Sequence, residues 1–124
     1  MDALYDHCKN EIKIDKSLEA ANCYKDLLND LFVRAKNKVE LSDIYKIYLF
    51  DYAIKMSILS EKYEDLELEV FLFLAEHNEL KAMHMAGIIF AERNEKAKAK
   101  ELLEKASYLG FQPATLSLKS GIVD

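Results

Sequence analysis

Apolar residues recur along most of this 124-residue chain at intervals of three and four, the period of a helix with one face turned to a core. A weak stripe of Ala3, Leu4, Cys8, Ile12 and Ile14 predicts a short first helix over about 2–14. The pattern restarts after Asp15 or Ser17, either of which can cap a second helix. Leu18, Ala21, Leu28, Leu31, Phe32 and Ala35 carry that helix to a break at Asn37 and Lys38. Ser42 is the cap expected for a third helix over about 43–60. There Ile44, Ile47, Leu49, Phe50, Ala53, Ile54, Met56, Ile58 and Leu59 leave only a narrow polar strip, with Asp51 and Lys55 at a favourable i,i+4 spacing. A helix apolar nearly all round is expected at the centre of its bundle. Tyr45, Tyr48 and Tyr52 add an aromatic edge to it.

A fourth helix, about 63–76, is expected to bury Leu66, Val70, Phe73 and Leu74 and to turn Asp65, Glu69 and Glu76 to another face. Two more follow over about 79–93 and 95–109, with Asn94 as the cap between them and Glu92–Lys96 and Glu101–Lys105 as i,i+4 pairs. Gly110 suits the left-handed position that ends a helix, and Pro113 suits the first turn of the next. That last helix should break at Ser120 and Gly121. With only three Gly and one Pro in the chain, the expected fold class is all-α, six or seven antiparallel helices in a single domain.

The small residues over 81–118 are ordered rather than scattered. Ala82, Ala86 and Gly87 lie on one segment, Ala99 and Ala106 on the next, and Gly110 and Ala114 follow. Shifted by 32 residues, the sequence partly matches itself: Gly110 falls on Asn78, Ser107 on Ala75, Ala114 on Ala82 and Leu118 on Ala86. Such a period signals stacked helix pairs, none able to bury its apolar face alone. The run Ala82-Met-His-Met-Ala86-Gly87, then Phe90, then Ala99 through Ala106, Gly110 and Ala114 resembles a Sel-one-like repeat, a relative of the tetratricopeptide repeat. The resemblance covers 82–114 well and 63–82 loosely, and 1–60 only in being helical. It departs from the family in lacking a Gly-rich insertion at 92–95 and in carrying Lys119 where Gly is usual. It implies a short right-handed α-solenoid, with 1–60 as a non-repeat part and 61–120 as repeats, and a protein-binding rather than enzymatic role. The small residues are then packing residues, spent on close helix approach.

Charge narrows the choice of partner. The net charge is −5, and residues 61–79 hold seven acids against Lys62 alone. An acidic chain is a poor nucleic-acid binder, since phosphate affinity needs clustered Lys and Arg. A protein with a basic surface fits better. The candidate partner-binding residues are Glu61, Glu64, Asp65, Glu69 and Glu76, with Tyr45, Tyr48 and Tyr52 as an aromatic complement. No apolar run is long enough for a membrane span and no leader precedes a cleavage site, so no membrane association and a cytoplasmic location are expected. Cys8 and Cys23 could form a disulfide, but free buried thiols suit that location better.

Catalytic chemistry is weakly signalled. His7, Cys8 and Cys23 lack the two close ligand pairs of a structural zinc site. His77 and His84 lack metalloprotease spacing, and His77 suits a helix C-terminus, where a cation meets the dipole. No phosphate loop or nucleophile motif occurs. No catalytic residue, metal or cofactor is therefore expected. The function expected is a small acidic inhibitor or immunity-type protein that neutralises a partner such as a toxin. A general adaptor comes second, and a small hydrolase using surface carboxylates last. Oligomeric state is left open by the residues.

Overall fold

The computed structural model describes residues 17–38 and 40–124; the first helix expected, over 2–14, lies outside them. Among the described residues the chain is all-α. The elements are α1 (Ser17–Lys36), α2 (Asp43–Leu59), a 3-10 turn (Glu61–Tyr63), α3 (Glu64–Glu76), α4 (Leu80–Glu92), α5 (Lys96–Tyr108) and α6 (Gln112–Lys119). They belong to two compact units, the first ending at Val70 and the second running Phe71–Asp124.

In the first unit α1 packs on α2. Ala20, Ala21, Tyr24, Leu27, Leu28, Leu31, Phe32 and Ala35 are all buried, a stripe stepping by three and four along α1. Leu18 falls to the side of that stripe and is 53% exposed, contrary to the inward position expected for it. Helix α2 begins as its sequence predicts, with the Ser42 hydroxyl accepting a hydrogen bond from the Tyr45 N–H at 3.4 Å. It meets α1 through Leu49, Tyr52, Ala53 and Met56, and the Tyr24 and Tyr52 rings touch with centroids 6.2 Å apart. The Tyr63 hydroxyl donates to the Asn22 side-chain oxygen, tying the 3-10 turn to α1.

Two expectations are corrected here. Helix α2 is not central: Ile44 and Ile47 are each 64% exposed and Ile58 79%. Apolar composition all round says how many faces of a helix want cover, not whether the chain covers them. Cys23 is disulfide-bonded and no described cysteine is a free thiol; Cys8, the other cysteine of the chain, lies outside the described residues. A disulfide weighs against the reducing compartment that the sequence suggests.

The second unit is built on a repeated turn. Helices α3, α4 and α5 are each 13 residues long. Each ends at a residue with positive φ: Asn78 (64°), Asn94 (65°) and Gly110 (96°), sixteen residues apart. At each, two backbone hydrogen bonds close the helix. Asn78 N–H donates to the Ala75 carbonyl and Glu79 N–H to Leu74; Asn94 donates to Ala91 and Glu95 to Phe90; Gly110 donates to Ser107 and Phe111 to Ala106. This is the Schellman arrangement, which satisfies carbonyls that a helix end leaves open. Glu79, Glu95 and Phe111 then serve as N-caps of the next helices, none with a side-chain cap bond. One residue closes one helix and opens the next, so each connection is three residues long. Pro113 sits in the first turn of α6, as expected.

These turns fold α4, α5 and α6 back on one another. Ala82, Met83, Ala86 and Gly87 on α4 are buried, as are Ala99, Leu103 and Ala106 on α5 and Ala114 on α6. Gly87 marks the closest approach. A Cβ placed there would lie 2.9 Å from Leu103 Cγ and 3.4 Å from the Ala99 carbonyl oxygen. Helix α6 is also pinned by polar contacts, Ser107 to Thr115 at 2.5 Å and His84 to Ser117 at 2.9 Å. The expected charge pairs around α5 are replaced by Lys98–Glu95 at 3.3 Å and Lys100–Glu104 at 3.9 Å, exposed contacts that add little stability.

Two sets of variants test this architecture by denaturant unfolding. No atom lies within 4 Å of a Cβ at Gly110, so its substitution meets backbone strain alone. Gly110→Val should cost about 1–3 kcal/mol, while Gly110→Asn, the residue used at the two equivalent turns, should cost well under half as much. Equal losses would remove positive φ as the cause. Gly87→Val and Ala106→Leu should each cost roughly 1–3 kcal/mol by overpacking.

Candidate functional site

The acids singled out from the sequence are distributed over both units. In the first unit, Glu61 is exposed in the 3-10 turn and Asp65 and Glu69 are exposed on α3. Their spacing of four places the two α3 carboxylates one helical turn apart on one side. Glu64 is half-buried. Glu67, also counted in the acidic stretch, is only 5% exposed and adds little to the surface charge. The acids in the first turn of α3, Glu64, Asp65 and Glu67, also stand where the helix dipole favours negative charge. That contribution to the helix is independent of any partner.

In the second unit Glu76 is exposed and borders an open concavity of about 250 Å³. The floor is apolar, with Leu72, Met83 and Leu102, and Glu101 and Lys105 share the rim with Glu76. A hollow with an apolar floor and charged rim can seat an apolar side chain flanked by a cation.

The aromatic edge divides. Tyr52 is 2% exposed and belongs to the core of the first unit. Tyr48 is 39% exposed and stacks on Tyr52, centroids 5.6 Å apart and planes 17° from parallel. Tyr45 is half-buried, with the Lys38 ammonium 4.7 Å from its ring centroid. Of the three, Tyr48 presents the most surface.

The contact between His84 and Ser117 was not signalled by sequence spacing, because it joins residues of α4 and α6. The imidazole Nε2 lies 2.9 Å from the Ser117 hydroxyl and the ring tilts against Phe111 at 5.7 Å. Burial pushes the His84 pKa below 6.5. These contacts fasten α6 to α4. His77 closes α3 with its ring against Phe73, 4.8 Å between centroids, at the helix end where it was expected.

Among the described residues no group of three His, Cys, Asp or Glu could hold a metal ion, and His7 and Cys8 lie outside them. No helix among them is long and apolar enough to cross a membrane. Comparison with protein-family models, with curated proteins and with solved structures gives no match for this chain.

The His84 environment has a pH consequence. Its pKa is lower folded than unfolded, so between the two values the unfolded chain binds more protons. The stabilisation tied to neutral His84 is full above about pH 6.5 and is lost as pH falls toward the folded value. Unfolding midpoints measured at about pH 7.5 and 5.5 should show a smaller acid loss in His84→Gln than in the parent. An identical loss would remove His84 as its source.

Proposed function

We propose that this chain is a non-enzymatic protein-binding module of the Sel-one-like repeat type. In this reading it is a small acidic inhibitor or immunity-type protein that neutralises a partner, such as a toxin, through that partner's basic surface. The observation that carries the proposal is the exposed acidic row of Glu61, Asp65 and Glu69. Carboxylates on a rigid helical support can meet Lys and Arg of a partner with little further ordering, raising both encounter rate and selectivity. The evenly spaced helix turns support the repeat part of the reading, since architectures of this sort spend their small residues on stacking and leave outer positions to recognition. Glu76, beside its apolar hollow, is a second point at which a basic side chain can be received.

The test is titration of the purified chain with the protein that co-purifies with it from its native cells. Affinity should fall by at least about tenfold between roughly 0.05 and 0.5 M salt. Glu61→Lys, Asp65→Lys and Glu69→Lys together should weaken binding by a comparable or larger factor while leaving thermal unfolding close to the parent's. Salt-insensitive binding, or full affinity in the triple variant, would eliminate the acidic row as the binding surface.

A further inference from the structure

Helix α2 carries a second apolar face that the described residues leave exposed. Ile44, Ile47, Asp51, Lys55 and Ile58 follow one another at steps of three and four, with Tyr48 beside Ile47 and one turn from Asp51, so they form one stripe along a helix of roughly 25 Å. The stripe lies opposite the buried row of Leu49, Ala53 and Met56. Exposure is 64% at Ile44 and Ile47, 39% at Tyr48 and 79% at Ile58. At its middle sits a charged pair, with Lys55 Nζ 2.9 Å from Asp51 Oδ2 and the two side chains 31% and 43% exposed.

We infer that this face binds a second copy of the same chain, α2 against α2, antiparallel about a two-fold axis passing outside the helix midway between Asp51 and Lys55. The pattern is self-complementary about that position. An antiparallel copy sets Asp51 against the partner's Lys55 and Lys55 against its Asp51. The same register brings Tyr48 over the partner's Ile58 and Ile47 over its Leu59, twice each by symmetry, as an isologous contact requires. Charge also selects the occupant. Each copy carries −5 overall, so two copies repel wherever their acidic surfaces face. The α2 stripe is electrically balanced, which lets two acidic chains meet there. A basic partner, by contrast, gains nothing from a neutral stripe. Because the contact uses one helix per copy, it buries less than the standard interface of about 800 Å² per partner. A contact of that size belongs with weak, transient associations.

Sedimentation equilibrium of the full chain from about 1 μM to 1 mM should show mass rising from 14.3 kDa toward twice that value. Ile58→Asp should raise the dissociation constant at least about tenfold without lowering the melting temperature, since Ile58 is 79% exposed. Asp51→Lys and Lys55→Asp should each lose self-association, because each sets like charges across the axis. Mixed one to one, the two variants set two bases against two acids and should form a heterodimer. Monomer mass throughout would overturn the inference. So would parent-like association of any single variant, or the absence of the mixed dimer. The acidic-row reading above does not depend on the result.

Discussion

The second unit depends on where its helices stop. A positive-φ residue at Asn78, Asn94 and Gly110 ends three successive helices after the same number of residues, and the next helix starts within three positions. Helix length fixes more than distance. Each added residue rotates the following side chains by about 100°, so a turn displaced by one position would swing the small-residue stripe of the next helix away from its neighbour. Only with this spacing does Gly87 meet Leu103 and the Ala99 carbonyl. The turn and the stripe are two halves of one specification: the first sets the rotation at which the second can be used.

The first unit solves the same problem by other means. Its two long helices meet mainly through large side chains, Tyr24, Leu27, Leu28 and Leu31 on one side and Leu49, Tyr52 and Met56 on the other, with Ala20, Ala21, Ala35 and Ala53 buried beside them. Nothing there demands a fixed helix length, and α1 and α2 accordingly differ, at 20 and 17 residues. The change in packing style explains why the internal repeat fades towards the N-terminus. Small residues at fixed spacing are a signature of close stacking, and where stacking is by large residues many substitutions fill the gap equally well.

What could be read from the residues follows the same division. Gly110 and Asn78 were recognisable as equivalent turns because few residues accept a left-handed backbone; Asn94 was legible as a helix boundary, while its place as the third member of the series appears only with its φ. Ser42 and Pro113 announced helix starts through local chemistry. Features set by distant partners were not legible. Hydrophobic period assigns Leu18 and Ile58 to helices but does not say which face is covered, and Glu67 counts as a surface charge until its neighbours are placed. The link between His84 and Ser117 joins helices that are not adjacent in sequence, so no local spacing encodes it. Of the candidate site, the exposed acids were visible as charge, whereas the division of the tyrosines into the buried Tyr52 and the outward Tyr48 needed the structure.

The outer surface of α2 raises a question of selection rather than of folding. A stripe with Ile at three exposed positions is a liability on a monomer, because exposed β-branched and aromatic side chains invite unspecific contact. The rest of the chain contains that liability by charge. With most of the net charge of −5 carried by residues 61–124, where acids outnumber bases twelve to eight, random encounters between copies are repulsive over most orientations. Attraction survives where the local field is balanced, and on α2 the Asp51–Lys55 pair supplies that balance at the centre of the stripe. On the readings proposed above, the acidic excess that would draw in a basic partner would also narrow self-association to one geometry. In the two proposals above, a foreign surface and a second copy are met by opposite uses of a single charge distribution.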